Sequence, residues 1–215
     1  MDKQQVFDNY HKWYFEAGIQ GQTKWRGITC LKTTSDLWNY QEIIVERNVS
    51  LVVEFGTYWG GSTLFFLDLL DSMGGNRKLL GVDSALGNIT RLAVDNPKAD
   101  LMECSSVDPK VAVEIQFLRG HYPGPMFVIL DSDHSKDHVL AEMESLRSVM
   151  KAGDYLIVED SNIAGNPVYG EWPDGGPYAA RAEYFERYPE DYMYDTEREE
   201  KFGFTYSPKG YLIKR

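Results

Sequence analysis

Two short stretches carry the side chains able to do chemistry. Asp131-Ser132-Asp133-His134-Ser135-Lys136 begins at the end of the apolar run Met126–Asp131, and Glu159-Asp160-Ser161-Asn162 at the end of Tyr155–Glu159. Carboxylates crowded this closely repel one another unless a cation or protons intervene. An all-oxygen donor set selects a hard ion, Mg²⁺ ahead of zinc. A hydroxyl beside such an ion is easier to deprotonate and is held in a fixed direction. Lys136 or His134 is placed to take the proton, provided that the lysine pKa is lowered or the histidine is neutral. Helix capping by Asp133 or Ser135 accounts for one of the acids, but not for both clusters.

A third stretch, Glu54-Phe55-Gly56-Thr57-Tyr58-Trp59-Gly60-Gly61-Ser62, follows the apolar run Leu51–Phe55 and opens a segment of helical spacing. Glycines there let the backbone approach a ligand, and a helix N-terminus offers N–H groups to a carboxylate. Three bulky residues follow Gly56, so the spacing is not that of the dinucleotide fingerprint. It resembles the E-x-G-x-x-x-G-G-S loop of class I methyltransferases, in which the loop holds the methionine end of S-adenosylmethionine. Asp83 ends the next run, 27 residues after Gly56, where a carboxylate accepts ribose hydroxyls. Ser105 and Ser106, after the run Leu101–Cys104, stand where such folds place adenine contacts.

These groups converge only if the runs are neighbouring strands. Leu51–Phe55, Leu79–Asp83, Leu101–Cys104, Met126–Asp131 and Tyr155–Glu159 alternate with Ser62–Leu70, Leu86–Val94, Pro109–Leu118 and Ser135–Val149, each able to form a crossover helix. Nearly continuous apolar strands separated by helices predict a parallel sheet covered on both faces, a Rossmann-like doubly wound α/β fold. Asp36–Arg47 predicts a helix before the sheet. Lys201–Tyr206 and Tyr211–Lys214, flanking Ser207-Pro208-Lys209-Gly210, predict a terminal antiparallel hairpin. That order suits the seven-stranded class I methyltransferase sheet. All 215 residues are expected to form one domain, with 1–48 an N-terminal helical cover and 164–178 a lid.

A formal net charge of −11 argues against nucleic-acid and anionic-membrane partners, because phosphates would be repelled. The start lacks the apolar core of a signal peptide, and no apolar run is long enough to span a bilayer. Two cysteines, Cys30 and Cys104, are too few for a disulfide framework. A cytoplasmic setting is expected, and homo-oligomerisation is left open.

Glu54–Ser62, Asp131–Asp137, Glu159–Asn162 and Gly176-Pro177-Tyr178 resemble the cephalosporin hydroxylase family, which includes rhamnosyl O-methyltransferases. The resemblance implies a class I methyltransferase fold, S-adenosylmethionine and Mg²⁺ as cofactors, and O-methylation of a small hydroxylated molecule: a sugar moiety or natural product of secondary metabolism. It also parallels catechol-type enzymes, in which an Asp is followed by Lys three residues on. By that pattern Asp133, with Glu159 and Asp160, is the preferred ligand set, and Asp131 faces the cofactor or orients a water outside the ligand set. The other register has Asp131 as the ligand, 28 residues before Glu159. The lid, rich in Gly, Pro and aromatics, offers Tyr169, Trp172 and Tyr178 to a substrate ring. A metal-dependent hydrolase or hydroxylase would leave the glycine loop and Asp83 unused; a catalytically silent cofactor-binding subunit would leave the acids unexplained.

Overall fold

A computed structural model describes residues 2–215. In chain order its elements are α1 (Lys3–Glu16), β1 (Lys24–Trp25), β2 (Ile28–Thr29), α2 (Thr34–Glu46), β3 (Leu51–Phe55), α3 (Gly61–Met73), β4 (Lys78–Asp83), α4 (Arg91–Val94), β5 (Ala99–Glu103), α5 (Pro109–His121), β6 (Met126–Leu130), α6 (Lys136–Leu146), β7 (Tyr155–Val158), α7 (Gly176–Arg187), β8 (Tyr192–Tyr194), α8 (Thr196–Glu200) and β9 (Tyr211–Lys214). Aside from the β1–β2 ribbon, the strands form one seven-stranded sheet in the order β5-β4-β3-β6-β7-β9-β8, in which β9 alone is reversed and so pairs antiparallel with both β7 and β8.

The apolar runs explain the layers. Along β3 and β6, Val53, Phe55, Val128 and Leu130 join one core with residues of α5, α6 and α7. Their neighbours Val52, Phe127 and Ile129 join a second core with α2 and α3. Side chains alternate across a strand, so a sheet buried on both faces needs an unbroken apolar run.

Register then delivers the chemistry to one edge. Phe55 pairs with Val82 and with Leu130, and Leu130 pairs with Val158. The residues around these carboxyl ends, Gly56, Asp83, Asp131 and Glu159, therefore emerge together. The chain runs outward from β3 through β4 to β5, then returns to lay β6 against the other side of β3. That reversal is the topological switch point, where open α/β sheets bind ligands.

The C-terminal antiparallel pair has a different first arm from the one expected. It is Tyr192–Tyr194, pairing with β9, whereas 201–206 is irregular. Gly203 takes φ +86°, and a Cβ there would stand 2.5 Å from the Phe7 ring, so this stretch follows α1 rather than a strand partner. Leu86–Val94 yields only the single turn Arg91–Val94. Helix α7 begins within the expected lid, at Gly176, with Pro177 in its first turn. Among the described residues, no helix is long and apolar enough to cross a membrane.

Helix α1 docks on the C-terminal loop through His11, which is 3 % exposed, stacks on Tyr206 and accepts a 2.9 Å hydrogen bond from Asn162. Burial lowers its pKa from 6.5 to about 4, with Asp8 opposing weakly. Between those values the unfolded chain binds a proton that the native state refuses, so stability must fall as pH falls through this window. His11→Gln, which keeps an acceptor, is expected to flatten the wild-type loss between pH 6.5 and pH 4 by about 2–3 kcal/mol. Denaturant melts across the window check this; identical pH slopes for the two proteins would remove His11 from the account.

Candidate functional site

At the switch point the strand ends enclose a cavity of about 610 Å³, within the range of small-ligand sites. Its floor is the glycine loop. A Cβ on Gly56 would lie 2.0 Å from the Asp131 carbonyl oxygen, and one on Gly61 equally close to that of Thr29. The loop can thus lie against β6 and β2 only with glycine at both positions. Gly61 and Ser62 open α3 into the cavity with no side-chain cap, which leaves first-turn N–H groups for an anion.

Two residues expected to touch a cofactor, Glu54 and Gly60, do not line the cavity. Glu54 is fully buried and accepts from the Ser62 and Thr63 hydroxyls, which ties β3 to the first turn of α3. Burial, opposed by those donors, raises its pKa to about 7. Gly60 faces Ile89 and Thr90, its positive φ making the bend into α3. Gly56, Thr57, Tyr58, Gly61, Ser62, Asp83, Ser105, Ser106 and Asp131 all line the cavity. Asp83 also organises the loop: its Oδ2 accepts from the backbone N–H groups of Thr57 (2.8 Å) and Tyr58 (2.9 Å), and its Oδ1 from Ala85 (3.0 Å).

On the other side of the loop stands the acidic cluster. Asp131, His134 and Asp160 each offer a ligand atom, all within 4.8 Å of one another. His134 Nε2 is 3.1 Å from Asp160 and 3.6 Å from Asp131, yet it is buried with no aligned hydrogen bond. Donors gathered without satisfying one another fit a cation. Burial opposes charge on His134, but Asp160 and Asp131 outweigh it and lift its pKa to about 9.

This placement reverses the preference for Asp133 over Asp131. Asp133 touches the cavity rim, but its carboxylate accepts from the Ser135 N–H (2.7 Å) in a local turn just before α6; it does not cap the helix, whose N-cap is Ser135. Lys136 is turned away, with its ammonium 2.6 Å from Glu183 on α7. Glu159 lies just behind the cluster, buried and bonded by Tyr40 (2.7 Å) and Ser207 (3.1 Å). Tyr169, Trp172 and Tyr178 do not line this cavity. Tyr169 packs edge-on against Phe15 of α1, and Tyr178 faces a separate cleft beside His11. The aromatic side chains that do line it are Tyr58 and Trp59.

Lys32 is a participant that motif spacing did not reveal. It is 3 % exposed; its ammonium bonds Asp131 and lies 3.6 Å from Glu159. Burial disfavours its charge, but Asp131 and Glu159 more than compensate, so its pKa is raised and it stays a cation. It holds Asp131 ionised, while burial and neighbouring carboxylates push Glu159 upward. The available signal was slight: Lys32 is the one charged residue in Ile28–Ser35.

The chain is similar to known proteins. The family model "Rhamnosyl O-methyltransferase/CmcI" matches residues 18–215. A rhamnosyl O-methyltransferase of Mycobacterium bovis (strain BCG / Pasteur 1173P2) is 49% identical over 210 residues, 97% of this chain and 85% of its own. One from Mycobacterium leprae is 45% identical, covering 98% and 91%. Among solved structures, CmcI with Mg and SAM superposes with a TM-score of 0.69 at 22% identity, over 91% of this chain and 77% of its own. An O-methyltransferase from Bacillus cereus in complex with SAH gives 0.54 at 14% identity, over 85% and 82%. At those identities the structures speak for the fold, whereas the sequence matches extend over almost the whole chain. The chain belongs to the rhamnosyl O-methyltransferase/CmcI family.

Proposed function

We propose that the protein is an S-adenosylmethionine-dependent O-methyltransferase that uses Mg²⁺ and acts on a hydroxyl of a sugar-bearing small molecule. The observation that carries this reading is one cavity with a glycine loop and Asp83 at one end and Asp131, His134 and Asp160 at the other. The names of the relatives support a rhamnosyl acceptor class.

In this reading the first turn of α3 receives the carboxylate of the methionine moiety. Asp83 accepts a ribose hydroxyl on Oδ1, its Oδ2 being engaged by the loop. Ser105 and Ser106 face the adenine. Asp131 and Asp160, with Glu159 behind them, hold the ion, and Lys32 offsets the excess negative charge. When bound, the sulfonium supplies an electrophilic methyl group and Mg²⁺ makes the acceptor hydroxyl more acidic. Asp131 and Asp160 hold His134 protonated in the metal-free protein. An ion bound between those acids would offset their charge, and His134, at the cavity wall, would then be neutral and able to take the hydroxyl proton on Nε2. Tyr58 and Trp59 give the acceptor an apolar face to lie against. A hydrolase or hydroxylase would need the acids but not the glycine loop.

The test is an acceptor screen with labelled methyl donor and Mg²⁺, using rhamnosylated and other glycosylated lipids and phenols. Label transferred to a sugar oxygen supports the reading; label retained in the donor across all glycosides contradicts the acceptor class. The cofactor half has its own check. Asp83→Ala is expected to weaken S-adenosylhomocysteine binding by about 1.5–3 kcal/mol per charged hydrogen bond lost, measured by calorimetry. It should also speed amide exchange at Thr57 and Tyr58, whose N–H groups lose their acceptor. Unchanged affinity in a folded variant would end the ribose assignment.

A further inference from the structure

The cavity wall between β5 and β6 carries a polar assembly that neither the acidic cluster nor the glycine loop uses. Glu142, on α6, is 0 % exposed. Its Oε1 accepts from the Ser106 hydroxyl and, at 2.5 Å, from the Ser132 hydroxyl. His138, one turn earlier on the same helix, places Nε2 2.8 Å from Ser106 Oγ and 3.4 Å from Glu142. Glu142 Oε2 is buried without a partner. Ser106, Ser132 and His138 line the cavity, and Glu142 lies behind them.

A serine hydroxyl has one proton to donate and two lone pairs that accept. Here both protons point backward into the same carboxylate oxygen. The two serine oxygens stand 3.3 Å apart, and neither has a proton left for the other. Ser106 Oγ also accepts from His138 Nε2–H, so what either serine oxygen has left for the ligand side is a lone pair. A wall of that polarity accepts from an amino group and repels a carbonyl oxygen. An apolar residue at position 142 would free both hydroxyls to rotate and donate.

We propose that Glu142 is a specificity-determining positioning residue. By fixing the polarity of the Ser106 and Ser132 hydroxyls, it selects a purine with an amino group at the six-position over one with a carbonyl there. The inference rests on the reading of this cavity as the S-adenosylmethionine site, with its base at the β5 end. It adds a chemical reason for discrimination at that base and assigns it to a residue that does not touch the ligand. A buried pair of acceptors faced with another acceptor loses more than the single missing bond, because neither side has water to turn to.

Calorimetry with S-adenosylhomocysteine and S-inosylhomocysteine tests it, on wild type, Glu142→Met, Glu142→Gln and Ser106→Ala. Wild type is expected to bind the adenine compound at least about tenfold more tightly than the inosine compound. Glu142→Met, of similar volume and without a buried charge, should bring that ratio close to one by gaining affinity for the inosine compound. Glu142→Gln retains a carbonyl acceptor and should keep most of the ratio; a loss of packing alone would not separate these two variants. Ser106→Ala should reduce the ratio in a protein whose buried carboxylate is untouched. Equal affinity of wild type for the two compounds overturns the inference with no variant needed. So does an unchanged ratio in folded Glu142→Met or, if that variant does not fold, in Ser106→Ala. Failure of wild type to bind either compound would instead overturn the cofactor reading beneath it.

Discussion

Asp131→Asn is expected to lower the rate of methyl transfer by about a thousandfold, whereas Asp133→Asn leaves it within a few fold of wild type. The two residues lie two positions apart on one loop, but the structure gives them different partners. Asp131 shares a cluster with His134 and Asp160 and bonds Lys32; Asp133 receives the Ser135 N–H at the start of α6. An amide at position 131 removes a charge from the group proposed to hold the ion. Lewis-acid assistance contributes several kcal/mol to such a transition state, which sets the thousandfold scale. An amide oxygen at position 133 can accept the same Ser135 N–H bond, since Asn forms this local turn as Asp does. Both variants should bind S-adenosylhomocysteine normally; Asp133→Asn should melt near wild type, and Asp131→Asn somewhat lower, because the buried Lys32 loses one of its two carboxylates. Turnover measured against Mg²⁺ concentration separates them: the 131 variant should need far more metal for its residual rate. If instead Asp133→Asn shows the metal defect and Asp131→Asn does not, the assignment of the ligand is wrong.

His134→Gln should reduce turnover by about 10²–10⁴-fold, the usual contribution of a general base, with binding of Mg²⁺ and of S-adenosylhomocysteine preserved. The imidazole sits at the cavity wall with Nε2 free of any aligned bond, and an ion bound by Asp131 and Asp160 would offset the two carboxylates that otherwise hold it protonated. Lys136, the other candidate for this role, is engaged with Glu183, whose hydrogen bond raises its pKa and favours the protonated form. Lys136→Met is accordingly expected to leave the rate nearly unchanged. Should His134→Gln raise the Mg²⁺ requirement in step with the loss of rate, His134 is a ligand rather than a base. Should Lys136→Met prove the slower enzyme, the proton follows a different path.

The parts of this architecture that were legible before the structure are those set by short-range pattern. Continuous apolar runs announced the five parallel strands, because only a strand buried on both faces requires them. The glycine loop was legible because Gly56 and Gly61 approach foreign backbone too closely for any side chain. Features that depend on distant partners were not. Lys32 gains its meaning from Asp131 and Glu159, 99 and 127 residues away, and no local pattern marks it. Glu142 reads as one more acid on a helix until Ser106 and Ser132 are found bonded to it. The choice between Asp131 and Asp133 turned on which way each carboxylate points at the end of β6, and motif spacing favoured the other residue. Tyr169 and Tyr178 carry the composition of a substrate lid, but α1 and α7 give their rings other surfaces to pack on. Helix α7 did have a local sign, Pro177 in a first turn after a glycine, where proline is favoured.

The central claim is that one cavity joins a methyl-donor site to a hard-metal site that activates the acceptor. Turnover of a glycosylated acceptor by protein stripped of metal, with residual metal content verified, tests it most directly. The account predicts that methyl transfer disappears on stripping and returns on addition of Mg²⁺, while calorimetry shows S-adenosylhomocysteine still bound by the stripped protein. Full turnover with negligible metal present would contradict it.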